Sequence, residues 1–226
     1  MANIGHGKKF ETIKAKLLNS ALRLFLENGY QATKITDITN LAKVDSNAVA
    51  RVFGDKETLV AELIEHVFSV QTEVVRQLVG ENCDDLLLDY VVESILRLYM
   101  AESTEQMREM YNMSYTCGKS SSVIYDMITR RLEGILKEYL PTYDGKDFYE
   151  LEIATGGIMR SFIAVPCDRY FTLDRKIDKF IEYVLLLFRI PAEESAKVKE
   201  LAKQVDYAMA VEEVKSKLIE TLPKIK

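Results

Sequence analysis

The sequence predicts an all-α chain in which a small N-terminal head of three helices is carried on a larger helical body. Three observations point that way. Apolar residues recur three and four apart along nearly the whole chain, the spacing that puts them on one face of a helix. Sustained apolar/polar alternation, the mark of strands, is absent. The stretches between periodic segments carry the few prolines and several of the glycines, residues that end helices for backbone reasons. With 226 residues, 48% of them hydrophobic and 29% charged, the chain is long enough to bury a sizeable core and is expected to be folded throughout.

The first helix is expected from about Phe10 to Asn28, with Leu17, Leu18, Ala21, Leu22, Phe25 and Leu26 on one face and Asn28-Gly29 as its stop. Two short pieces follow, about Ile35 to Lys43 and Ser46 to Phe53, with Asp45 and Asp55 placed to cap the helices after them. A helix of about six turns then begins at Lys56, its stripe traced by Val60, Leu63, Ile64, Val67, Val74 and Leu78; it is read as the bridge between head and body. Further helices are expected at about Asp85 to Ala101, Glu105 to Thr116, Ser121 to Tyr139, Lys146 to Ala164, Leu173 to Arg189 and Ala192 to Thr221. Breaks are placed at Gly80 to Asn82, Gly118, Pro141 to Gly145, Pro166 and Pro191. The domain boundary is placed between a head of residues 1–55 and a body of residues 56–226.

Charge is distributed unevenly over the two parts. The net charge is −5, yet residues 1–60 hold nine Lys or Arg against six Asp or Glu, whereas the remainder holds 21 against 29. A basic head on an acidic body suits a protein that meets phosphates at one end only. The N-terminus lacks a secretory core, and the longest apolar run, Tyr183 to Phe188, is too short to cross a bilayer, so a cytoplasmic protein is expected. Cys83, Cys117 and Cys167 are odd in number and widely spaced, and are expected as buried thiols; no metal site or cofactor is expected. Catalysis is not expected either. The chain has only His6 and His66, no serine nucleophile motif and no glycine-rich phosphate loop.

The segment from Thr33 to Lys56 carries the functional signal. Two short helices joined by a tight turn bury Ile38, Leu41, Val44, Val49 and Phe53 on one side and keep Ser46, Asn47 and Arg51 on the other. That is the plan of a helix-turn-helix that enters the major groove of DNA. Ala21-Leu22-Arg23-Leu24-Phe25, Gly29-Tyr30-Gln31-Ala32-Thr33, Asp37-Ile38, Ala42, Val44, Phe53, Lys56-Glu57 and Leu59 together resemble the DNA-binding head of the TetR (tetracycline repressor) family, over roughly residues 9–65. The resemblance implies a chain of nine or ten helices, a homodimer, a variable ligand-binding body and repression of transcription relieved by a small-molecule inducer. It also carries departures. Lys34 stands where the family has a capping Ser or Thr, with Thr33 as a substitute cap; Lys43 stands where the turn has Gly; Ala50 and Val52 stand where the recognition helix has aromatic residues.

Residue chemistry then assigns roles. Asn47 and Arg51 are candidates for bidentate contacts with adenine and guanine, with Ser46 and Ala48 in closer contact, Ala48 against a thymine methyl. Lys34, Thr36, Lys43 and Lys56 are candidates for phosphates, with Lys8 and Lys9 reaching from a flexible arm. Two heads one helical turn of DNA apart require a dimer and a palindromic operator. Ala154, Gly157, Ile158 and Ser161 on one helix and Phe180, Ile181, Val184 and Phe188 on another are the candidate interface, a close crossing within one subunit being the other reading. Tyr99, Met107, Met110, Tyr111, Tyr115, Tyr125, Met159 and Phe162 are the candidate ligand pocket and suit an ordinary core equally well. Arg160 is placed to meet an anionic ligand group or a carboxylate such as Glu152 or Asp168. A helical ligand-binding or interaction module whose head no longer reads DNA is the alternative function.

Overall fold

The computed structural model describes residues 2–80 and 85–221, with side chains from Lys8 onward. Cys83 and Leu222 lie outside the described residues, as does the side chain of His6. Among the described residues there are eleven helices and no strand: α1 (Ala2–Asn28), α2 (Ile35–Ala42), α3 (Ala48–Phe53), α4 (Lys56–Val79), α5 (Leu86–Ser103), α6 (Glu105–Thr116), α7 (Gly118–Leu136), α8 (Gly145–Ala164), α9 (Leu173–Leu187), α10 (Ala192–Ala202) and α11 (Tyr207–Thr221). No helix among them is long and apolar enough to cross a membrane.

The helix count exceeds nine or ten because the segment read as one helix from Ala192 to Thr221 is two. The amides of Gln204 and Val205 turn back to the carbonyls of Leu201 and Ala202, and Asp206 then accepts from the Met209 amide at 3.0 Å, starting a new helix. The break lets α10 rest on α5 while α11 packs on both α4 and α5. Elsewhere capping chemistry sets the starts: Asp55 accepts from Thr58 N, Asp85 from Leu88 N, Thr104 from Met107 N and Thr172 from Arg175 N. α7 begins at Gly118, not after it, because Cys117 in an extended conformation already turns the chain.

In the head, α2 and α3 have eight and six residues, too few to be stable alone, and are held by packing. Leu17, Leu22 and Phe25 of α1 meet Ile38, Val49 and Phe53 in a shared buried cluster. Each such side chain contributes about 1.5–3 kcal/mol by leaving water. In the body α5 is the central post, buried from Leu87 to Ala101 except at Tyr99 and in contact with α4, α6, α9, α10 and α11. Lys176 of α9 is fully buried yet satisfied: its Nζ donates to Glu102 Oε1 and to the Val165 carbonyl, each at 2.6 Å. Cys117 and Cys167 are free thiols, partly rather than fully buried.

Candidate nucleic-acid interface

The candidate surface on α2 and α3 is built from backbone geometry outward. Gly29 closes α1 at φ 85°, a left-handed conformation that glycine adopts without a Cβ clash. Thr33 does not cap α2 as expected. It is buried, and its hydroxyl donates back to the Gly29 carbonyl at 2.7 Å, while the Asp37 carboxylate takes over by accepting from Lys34 N at 2.9 Å. α2 ends at Lys43 with φ 53° and ψ 48°, the left-handed turn position for which glycine is the cheapest residue. Asp45 organises the next turn instead of capping α3 directly. Its Oδ1 accepts from Asn47 N at 3.2 Å and its two oxygens hold the Arg51 guanidinium at 3.1 and 2.7 Å. The Arg51 hydrogen bond is the main reason the Asp45 carboxyl titrates below the usual range.

Ser46, Asn47, Ala50 and Arg51 are exposed side by side on this turn and on α3, and Lys34, Thr36 and Lys43 are exposed on and beside α2. Three expectations are corrected. Ala48 has no accessible surface and packs into the head core, so it has nothing to offer a thymine methyl. Lys56 is turned inward: its Nζ donates to the carbonyls of Tyr30 (2.7 Å) and Thr33 (2.6 Å) and lies 3.9 Å from the Tyr30 ring centroid. It staples the start of α4 to the α1–α2 turn, and burial lowers its pKa. Lys8 and Lys9 are exposed on α1, not on a flexible arm.

Two contacts between head and body escaped the sequence. Glu109 of α6 accepts from Gln31 N at 2.8 Å, and Lys119 of α7 donates to Asp55 Oδ2 at 2.5 Å and to Thr58 Oγ1 at 2.7 Å. Neither residue belongs to a local pattern; only the tertiary fold brings them to the head.

Among the grooves described for the body, none is lined by the eight candidate pocket residues together. Met107, Met110, Tyr111, Tyr115 and Met159 are buried in the core, Tyr125 meets Tyr149 edge-on, and Phe162 packs against Phe171, Phe180 and Tyr183. Tyr99 stacks on Tyr207 with ring centroids 5.0 Å apart and lines a groove of about 490 Å³ beside α9 and α11. A larger groove of about 690 Å³ opens between α4, α5 and α7. Arg160 is exposed.

The expected interface is also corrected in part. Phe180, Ile181, Val184 and Phe188 form the inward face of α9 and are buried within one chain. Its outward face carries Tyr183, Leu186 and Leu187, with Leu186 74% exposed. On α8, Ala154 and Ser161 are exposed, Gly157 and Ile158 partly so, and Ile153 stands exposed beside them.

The core of α5 and α8 holds titratable groups that sequence reading did not single out. Glu152 is buried, its carboxylate accepts from the Thr155 hydroxyl at 3.2 Å, and burial raises its pKa to about 8 against the opposing pull of Arg97. Burial, reinforced by Glu93, raises Asp89 to about 6.

Residues 17–63 match the sequence profile of the family described as bacterial regulatory proteins, tetR family. The chain is 36% identical over 77 residues to the HTH-type transcriptional repressor Rv3405c of Mycobacterium tuberculosis (strain H37Rv), a match covering 34% of this chain and 39% of that protein. It is 31% identical over 74 residues to the HTH-type transcriptional regulator HbdR of Aromatoleum sp. (strain CIB), covering 32% of each. The matched segments thus span under half the length of these relatives. A crystal structure of RolR in complex with the ligand resorcinol shares the fold over 97% of this chain and 100% of its own, with a TM-score of 0.63 and 19% identity. The head is thus similar to the tetR family of bacterial regulatory proteins over residues 17–63, and the whole chain shares the fold of RolR.

Proposed function

We propose that the chain is a sequence-specific DNA-binding transcriptional regulator, a repressor released by a small molecule, and that it does not act as an enzyme. The carrying observation is the head. The segment matching the family profile presents Ser46, Asn47, Ala50 and Arg51 on one exposed face, flanked by the exposed cations Lys34 and Lys43. Asn47 and Arg51 are assigned to base edges, Lys34, Thr36 and Lys43 to phosphates. The head of residues 1–55 reads DNA, and the body of residues 56–226 dimerises and holds the ligand. RolR, whose crystal structure contains resorcinol, supports a ligand-binding body in this fold.

The dimer is assigned to the outward faces of α8 and α9, where Ile153, Tyr183, Leu186 and Leu187 are exposed beside Ala154, Gly157 and Ser161. Exposed large apolar residues mark an interaction surface, and the small residues beside them permit close helix crossing. Two heads so joined read a palindromic operator in the cytoplasm. Ligand entering the body shifts α4, alters the spacing of the heads and disfavours the DNA-bound state.

The pairing of Arg51 with Asp45 favours a second reading, a ligand-binding module whose head is closed to DNA. Selection from a random duplex pool separates the two. Enrichment of a palindrome by the wild type, and its loss in the Asn47→Ala/Arg51→Ala protein, is expected; no enrichment by either protein would contradict the regulator.

A further inference from the structure

The groove between α4, α5 and α7 combines an apolar floor with cations from three different helices. Phe68 of α4 and Met127 of α7 supply the apolar surface, and Arg76, Arg97 and Arg131 line the walls. Arg97 is 97% buried. Its guanidinium lies 4.6 Å from the Phe68 ring centroid, and its Nε has no hydrogen-bond partner. A guanidinium so deeply placed and incompletely satisfied is unusual, because buried donors are nearly always paired.

The neighbouring carboxylates leave that capacity open. Arg97 and Arg131 both donate to one oxygen of Glu93, at 3.0 and 2.6 Å. Glu93 and Asp89 are buried and do not line the cavity. Arg76 is exposed and has no ion-pair partner within 4.0 Å among the described residues. At the rim, Glu73 is committed to Lys217 at 3.0 Å, which leaves Glu65 as the acidic group facing the opening.

We propose that this groove is the effector site and that it takes a singly charged organic anion, a carboxylate on a flat aromatic body. The inference rests on the reading of the body as a ligand-binding domain and names its site and ligand class. The carboxylate sits between Arg76 and Arg131, where guanidinium forks match its geometry, and the ring lies on Phe68 and Met127. A polyphosphate is disfavoured by Glu65 at the opening, and a neutral ring leaves Arg76 without an ion-pair partner among the described residues. α4 supplies most of the wall and begins at Lys56, which grips the Tyr30 and Thr33 carbonyls of the head. An anion drawing Arg76 of α4 towards Arg131 of α7 therefore acts directly on the element that carries the head.

The test is calorimetric titration of the full chain, without DNA, with 2-naphthoate and with its neutral counterpart 2-naphthamide. The acid is expected to bind at least about tenfold more tightly, the scale of one charge-assisted pair. Arg76→Gln and Arg131→Gln are expected to abolish that preference, whereas Arg160→Gln on the exposed side of α8 leaves it intact. Arg76 is a surface residue, so its variant keeps the test valid even if loss of Arg131 disturbs the Glu93 cluster. Equal affinity for acid and amide, binding of neither, or an unchanged preference in both groove variants would overturn the proposal. Operator affinity of the same unliganded preparations is measured alongside. A chain that binds DNA but shows no acid preference refutes the groove assignment alone; one that shows the preference but ignores DNA refutes the regulatory reading alone.

Discussion

Replacing Glu152 by Gln is expected to make the protein more stable at neutral pH and to remove most of a pH dependence that the wild type shows. The carboxyl is buried on α8 with the Thr155 hydroxyl as its hydrogen-bond donor, and burial raises its pKa from 4.5 to about 8. The folded chain therefore keeps a proton that the unfolded chain has already released, and folding loses stability as pH rises from about 4.5 to about 8, then levels off. At about 1.4 kcal/mol per unit, the loss between about pH 5.5 and about pH 7.5 is of the order of 2–3 kcal/mol. Gln keeps the shape and the amide keeps a donor, so Glu152→Gln escapes that loss. Asp89, raised to about 6, adds a smaller fall that is complete near neutrality and is common to both proteins. Urea unfolding at a series of pH values, read as the difference between wild type and Glu152→Gln, isolates the Glu152 contribution. Parallel curves across that range would refute the assignment of a buried, neutral carboxyl.

Three further substitutions probe the head. Lys43 holds a left-handed turn at φ 53°, so Lys43→Gly is expected to stabilise by about 0.5–1 kcal/mol after the greater freedom of glycine in the unfolded chain is deducted, measured by the urea midpoint. Gly29→Ala is expected to destabilise by about 1–3 kcal/mol, because φ is 85° and a Cβ there collides with the Glu109 carboxylate; faster amide exchange at Gln31 would accompany it. Asp45→Asn releases Arg51 and removes a negative charge beside the surface proposed to meet DNA, so duplex affinity is expected to rise several-fold; an unchanged or lower affinity would show that Asp45 orients Arg51 productively.

Most helices were legible because their apolar period and their caps agree, as at Asp55 and Val60 to Leu78 on α4. The break between α10 and α11 was missed because no Gly or Pro marks residues 203–206; Asp206 preceding Tyr207 was the available capping signal. Periodicity also does not reveal which side of a helix faces its own chain. α9 is apolar over a wide arc, and the chosen residues Phe180, Ile181, Val184 and Phe188 proved to be its inner face. The same ambiguity left Met107, Met110 and Tyr111 open to a pocket or an ordinary core, and they fill the core. In the head, residue chemistry gave Asn47 and Arg51 but not their surroundings. That Lys56 turns inward and that Asp45 holds Arg51 depend on backbone directions set by tertiary packing.

The central claim, that the head reads DNA as part of a dimer, is tested most directly by titrating the full chain onto a selected palindromic duplex and onto its scrambled counterpart at several salt concentrations. Lys34, Lys43 and one lysine of α1 from each of two heads amount to about six neutralised phosphates, so log K is expected to fall against log salt with a slope near −5, a loss of about a thousandfold between about 50 and 200 mM. Two chains per duplex, that slope, and a marked preference for the palindrome are the predicted result. Equal, weak binding to both duplexes, or binding that salt does not affect, would contradict the account.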